Sequence, residues 1–132
     1  MRIDLHCHTK KCKRGDSPNR NAEPARFKSV IESAQVDIVA ITNHNIFDLK
    51  QFNRFCEELG ETERLWPGVE LDVCSSREKS HWHMLVITSP SKKEQFNSAL
   101  KQLLGNTSPD EVLVNVKDVF DCFRDIGAIF IS

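Results

Sequence analysis

Apolar residues along this chain fall into two alternating rhythms. Short runs rich in Val, Ile and Leu, "RIDLH", "DIVAIT", "PGVELDV", "HMLVIT" and "AIFIS", read as β-strands. Between them apolar residues recur at i, i+3, i+4 and i+7, the spacing of one helix face. Phe27, Val30, Ile31 and Ala34 form the first such stripe, and Phe52, Phe55, Cys56 and Leu59 the second. Phe96, Ala99, Leu100 and Leu103 form the third, and Val116, Val119, Phe120 and Phe123 the fourth. Gly60, Gly105 and Gly127 each follow a stripe, where a helix C-terminal cap is expected. Asp48 and Asp110 stand where they would cap the starts of the second and fourth helices.

Strand and helix thus alternate, and "DIVAIT" and "AIFIS" are apolar on both faces, which predicts a parallel sheet covered by helices. One segment departs from the pattern. In "LWPGVELDVCSSREKSHWHMLVIT" a polar loop with no room for a helix joins two strands, so a hairpin or a tight irregular crossing is expected there. The last strand raises a second expectation. An apolar strand with nothing beside its outer edge is an aggregation liability, so a further C-terminal segment or a partner chain is expected to cover it.

Composition narrows the function classes. The chain has 132 residues, 39% of them hydrophobic and 28% charged, which is ordinary for a globular domain and argues against disorder. A net charge of −1 gives no general attraction to nucleic acid or membrane. No apolar run approaches the roughly 20 residues of a membrane helix, and the opening residues run straight into a strand rather than a signal-peptide pattern. Five cysteines, an odd number without a CxxC pair, suit a reducing cytoplasm better than a disulfide scaffold. Cys56 and Cys122 lie in helical stripes and are expected in the core. There is no GxxxxGK[ST] and no GxGxxG, so a nucleotide-cradling loop has no support.

The five histidines change the picture. In α/β architectures functional groups gather at strand ends. His6 and His8 lie just past the first strand and, two apart in extended backbone, point to one side. The same alternation turns Cys7 away from both, against its use as a thiol nucleophile. His44 follows the second strand in "NHN", Glu70 lies toward the end of the third, and His83 opens the fourth with His81 two residues before it. Unrelated surface or core histidines would not fall at strand ends five times out of five. Neutral imidazoles with a carboxylate suit Zn, Mn or Fe, and one carboxylate can bridge two such ions.

In order and spacing, "DLHCHT", "AITNHN", "PGVELDV" and "HMLVI" resemble the PHP (polymerase and histidinol phosphatase) family from residue 3 to about residue 88. The resemblance implies a distorted, TIM-like (β/α)7 barrel, of which about five strands and four helices would be present. Residues 1–132 would then form one PHP-like metal-dependent phosphoesterase domain, truncated at its C-terminal end. The implied metal ligands are His6, His8, His44, Glu70 and His83, with Asp16 in "KRGDSPN" as the only nearby acid for an additional ligand position. The sequence departs from the family pattern in reading "TNH" where TDH is usual, so Asn43 replaces an acid while His44 is kept. His81 is extra to the pattern. A later histidine and an Asp-x-His pair, which the resemblance would imply beyond the last strand, are not among these residues.

The function so implied is hydrolysis of a phosphate ester by water activated at two or three divalent metal ions, Zn, Mn or Fe. Glu70 would bridge the ions, and His81 would contact phosphate or protonate the leaving group. A phosphorylated small molecule or a nucleic-acid end is the expected substrate. Lys10, Lys11, Lys13, Arg14 and Arg20 in "KKCKRGDSPNR" could attract it, unless they form an ordinary solvated loop. Two rivals remain. One is an amidohydrolase-type metal hydrolase, which usually adds a lysine at the end of a middle strand, and none is found here. The other is a PHP-like module that has lost catalysis and serves binding or regulation within a larger protein.

Overall fold

The computed structural model describes residues 1–60, 63–76 and 80–132. It is a mixed α/β fold built on one six-stranded sheet. β1 (Ile3–Cys7), β2 (Ile38–Ile41) and β3 (Leu65–Cys74) pair in parallel, linked by helices α1 (Pro24–Ser33) and α2 (Leu49–Leu59). β4 (His81–Ile87) then returns antiparallel along β3 from Gly68↔Ile87 to Cys74↔His81. This is the hairpin expected from the polar loop. After it come α3 (Lys93–Leu104), the two-residue β5 (Val114–Asn115), α4 (Val116–Phe123) and β6 (Ile129–Ile131).

The sheet is therefore not all parallel, as its apolar strands alone suggested. β6 pairs antiparallel with β4 and ends the strand path β1-β2-β3-β4-β6, while β5 adds to β3 in parallel. Apolar content on both faces reports burial, not strand direction. Burial also differs at the end of the chain: Ile129 is 43% and Ile131 37% exposed, with Phe130 packed against the core. Among the described residues β6 is the last strand of the path, partly exposed rather than buried.

The stripes pack as one-sided helices. Phe27 and Ile31 of α1, the Phe52, Phe55, Cys56 and Leu59 stripe of α2, Phe96 and Leu100 of α3, and Val119 and Phe123 of α4 join a single core cluster. The edge-to-face pairs Phe27–Phe55 and Phe47–Phe96 tie helices and loops together within it. A small second cluster, Ala40, Leu85 and Ile87 with Leu5 and Trp66 beside it, lies apart from it. Val30 and Phe120, counted in the stripes, remain largely exposed, and Cys122 is half-buried, its thiol bonded to the Ala99 carbonyl at 3.2 Å.

Capping follows the sequence at one helix and not at another. Asp48 accepts the Gln51 backbone N–H at 3.0 Å and caps α2, and Gly60 closes that helix at φ 71°. Asp110 does not cap α4: Asn115 does, accepting from the Lys117 N–H, because α4 begins at Val116, the first residue of its stripe, and Asp110 lies too far before it. Asp110 instead accepts the Arg14 backbone N–H at 2.8 Å.

Candidate metal centre

Glu70 is the hub toward which the strand ends point. It is 4% exposed, midway along β3, and its neighbours come from three directions. Beyond the end of β2 the backbone extends to a single parallel bridge between His44 and Glu70. That bridge and β5 use the edge of β3 that β4 leaves free. On β1, the three steps from Asp4 to Cys7 are matched by two on β2, from Val39 to Ile41, a register shift at the stretch that carries His6.

The result is a ring of imidazoles around one carboxylate. His6 Nε2 and His8 Nε2 each lie 3.0 Å from Glu70 Oε2, and His44 Nε2 lies 2.8 Å from the same oxygen. His83 Nδ1 is 2.8 Å from Oε1. The rings follow one another, with centroids 4.9 Å apart for His6–His8, 4.5 Å for His8–His44 and 5.6 Å for His44–His83. Two groups of donors could hold a divalent cation, His6–His8–Glu70 and His44–Glu70–His83, with Glu70 common to both.

The donor set fits such ions. Three ring nitrogens crowd one carboxylate oxygen, more than its two lone pairs can accept. His6 Nε2 and His8 Nε2 face each other at 3.1 Å, and His8 Nδ1 is buried without a hydrogen-bond partner. A cation shared by these nitrogens satisfies lone pairs that hydrogen bonds alone leave in conflict. Burial, helped by the charges of His44 and Arg20, pushes the His8 pKa down to about 4, so its ring is neutral and ligand-ready at neutral pH. Burial raises the Glu70 carboxyl, but the His6 hydrogen bond and the charges of His44, His6 and His8 outweigh it and hold the group ionised below its usual range.

Asp16 and His81 take different places from these five. Asp16 is buried behind His44, its Oδ1 2.5 Å from His44 Nδ1 and 3.1 Å from Arg20 Nη1. Its Oδ2 accepts the Cys12 and Lys13 backbone N–H groups. Burial alone would raise this carboxyl, yet those two N–H bonds and His44 bring it to about 2. It belongs to neither donor group and fixes the orientation of His44. His81 is exposed at the mouth of β4, opposite Cys74, and makes none of the contacts that join the cluster.

Asn43, the departure from the acidic pattern, points to the loop after β1 rather than to the histidines. Its Oδ1 accepts the Thr9 and Lys10 N–H groups at 2.8 and 3.1 Å, and its Nδ2 donates to Thr9 Oγ1 at 3.1 Å. Burial, with the Asp4 charge, pushes the Cys7 thiol up to about 11, which disfavours the thiolate that a nucleophile needs.

Asp72 was not among the residues singled out from the sequence. Its Oδ1 lies 2.9 Å from His83 Nε2, and its Oδ2 takes Lys13 Nζ at 2.6 Å and Asn45 Nδ2 at 2.7 Å. The signal was present, because Asp72 stands two residues from Glu70 on one strand, the same alternation that pairs His6 with His8. The basic loop is largely committed as well. Lys10 pairs with Asp48, Lys13 with Asp72, Arg14 with Asp110 and Arg20 with Asp16, which leaves Lys11 as the loop cation without a carboxylate partner among the described residues. Beside His8 opens a groove of about 640 Å³ whose charged lining side chains are Arg20 and Arg26.

No helix among the described residues is long and apolar enough to cross a membrane. No family model matches the sequence, and no curated protein matches it. Among solved structures, the chain is similar to a crystal structure from Bifidobacterium adolescentis described as a "putative metal-dependent phosphoesterase", with 23% identity and a TM-score of 0.49. The match covers 76% of this chain and 32% of that one, so the chain spans about a third of the length of the protein it resembles.

Proposed function

We propose that this chain is a PHP-like, divalent-cation-dependent phosphoesterase that hydrolyses a phosphate ester. The reading rests on one observation above all: four imidazoles from β1, the end of β2 and β4 meet the two oxygens of one buried carboxylate. His6, His8 and Glu70 would hold one cation and His44, Glu70 and His83 another, with Zn, Mn or Fe the ions such donors suit. Ions of this kind supply acidified water and neutralisation of phosphoryl charge.

The chain's own residues do the rest. Asp16 and Arg20 hold His44 in register with Glu70. Half-exposed His6 and His83 leave one side of the cluster open to an incoming ester. His81, exposed two residues before His83 on β4, would contact a phosphoryl oxygen or protonate the departing alcohol. The groove beside His8, with Arg20 and Arg26 as its cationic side chains, suits the organic part of an anionic phosphorylated small molecule.

The test is to load the purified chain with manganese, zinc or iron, count the ions by mass spectrometry, and assay an aryl phosphate beside the matching aryl amide. About two ions per chain and hydrolysis of the phosphate alone are expected, both lost in Glu70→Gln. Amide cleavage would move the assignment to an amidohydrolase-type enzyme. Bound ions without turnover of any phosphate ester would leave a binding module.

A further inference from the structure

We propose that Asp72 is a positioning residue of this centre: it accepts the Nε2–H of His83 and so leaves the Nδ1 lone pair on the Glu70 side, where a cation is held. The inference rests on the cation-centre reading above and adds to it a residue outside either donor group.

The geometry brackets His83 between two carboxylates. Nδ1 lies 2.8 Å from Glu70 Oε1 and Nε2 lies 2.9 Å from Asp72 Oδ1. A neutral imidazole carries a single N–H and can satisfy only one of them. A cation on the Glu70 side needs a lone pair there, so the proton must lie on Nε2, where Asp72 accepts it. The backbone enforces this arrangement, because Asp72 and His83 are direct partners across the β3–β4 hairpin.

Asp72 is itself immobilised. Lys13 and the Asn45 amide hold its Oδ2, and its backbone N–H donates to Asn45 Oδ1 at 2.9 Å. Asn45 is buried and left-handed at φ 57°, a conformation asparagine tolerates, and its amide also reaches the Pro109 carbonyl at 2.9 Å.

A related construction, through the other ring nitrogen, holds His44. Asp16 Oδ1 holds His44 Nδ1 while His44 Nε2 faces Glu70, and the other Asp16 oxygen is tied by two backbone N–H groups. Two carboxylate–imidazole pairs therefore converge on Glu70 from opposite partners, and Lys13 takes part in both, through its backbone N–H at Asp16 and its ammonium at Asp72. A carboxylate behind a histidine sets its tautomer and raises its basicity as a ligand.

Long-range 15N correlation spectra of the histidines, with and without zinc, test this directly, alongside zinc affinity from chelator competition. In the wild-type chain His83 is expected as the Nε2–H tautomer. Asp72→Ala is expected to lose that preference and to weaken zinc binding by about 10–100-fold, with the His6 and His8 signals in place. Asp72→Asn, which keeps an acceptor oxygen without the charge, is expected between the two. Wild-type tautomer or wild-type affinity in Asp72→Ala overturns the proposal. If that variant does not fold, wild-type affinity in Asp72→Asn overturns it instead. A wild-type chain that takes up no zinc overturns the functional reading and the ligand half of this inference, while the zinc-free spectra still decide whether Asp72 sets the His83 tautomer.

Discussion

His44 and Glu70 face each other across a lone parallel bridge in which the Asn45 N–H reaches the Glu70 carbonyl at 2.8 Å and the Glu70 N–H reaches the Asn43 carbonyl at 3.1 Å. Main-chain pairing thus sets the 2.8 Å approach of their side chains. Glu70→Ala removes the carboxylate common to both donor groups. Its expected effect is a loss of zinc affinity beyond the roughly 10–100-fold typical of outer residues, read by chelator competition.

Asn43 is the sole side-chain acceptor for two N–H groups of the loop that carries Asp16 and Arg20. Asn43→Ala strands the buried Thr9 N–H and is expected to cost about 1–3 kcal/mol. Urea unfolding at neutral pH measures it, and an unchanged midpoint would deny this role.

Asp48 ties the start of α2 to Lys10 at 2.7 Å. Burial raises its carboxyl, but the Lys10 and Gln51 hydrogen bonds prevail and lower it from 3.8. A carboxyl depressed in the folded state stabilises above the unfolded pKa, and that stability is lost as pH falls through the folded value. Asp48→Ala is therefore expected to cost about 1 kcal/mol near neutrality, and the gap to wild type should shrink once the pH falls below 3.8. Parallel urea titrations at both ends of that range decide it.

Gly68 lies where β3 passes between β2 and β4. A Cβ there would meet Thr42 Cγ2 at 2.9 Å and both the Ile41 carbonyl and Ile87 Cγ1 at 3.2 Å. Backbone and a β-branched core residue cannot easily retreat, so Gly68→Ala is expected to destabilise by about 1–3 kcal/mol. Thermal melting would reveal it, and a melting temperature equal to wild type would contradict the close fit.

The helices were readable because each stripe has a single face to bury, and Phe52, Phe55, Cys56 and Leu59 do so together. Strand direction was less accessible. "AIFIS" is equally apolar in either sense, and only its pairing with β4 fixes it as an antiparallel edge. β5, two residues long, is too short to carry a period. At the centre, His6, His8, His44, Glu70 and His83 come together, but not all from strand ends: His6 lies within β1 and Glu70 midway along β3. The place of Asp16 behind His44 depends on how residues 9–22 fold back, which spacing does not encode. Asp72 carries the same i, i+2 relation to Glu70 that joins His6 to His8, but nothing in the spacing shows that the β3–β4 pairing sets it beside His83.

The β3–β4 hairpin has a kinetic consequence. Glu70 and His83 meet across the arms of one hairpin, whereas His6 reaches Glu70 over a separation of 64 residues. Closing a short loop sacrifices less chain freedom than closing a long one, so contacts within the hairpin are favoured to form early. His83 and Asp72 would then already stand against Glu70 when β1 and its two imidazoles arrive. Assembly of the cradle is thereby split into a local half that is ready first and a distant half that completes it.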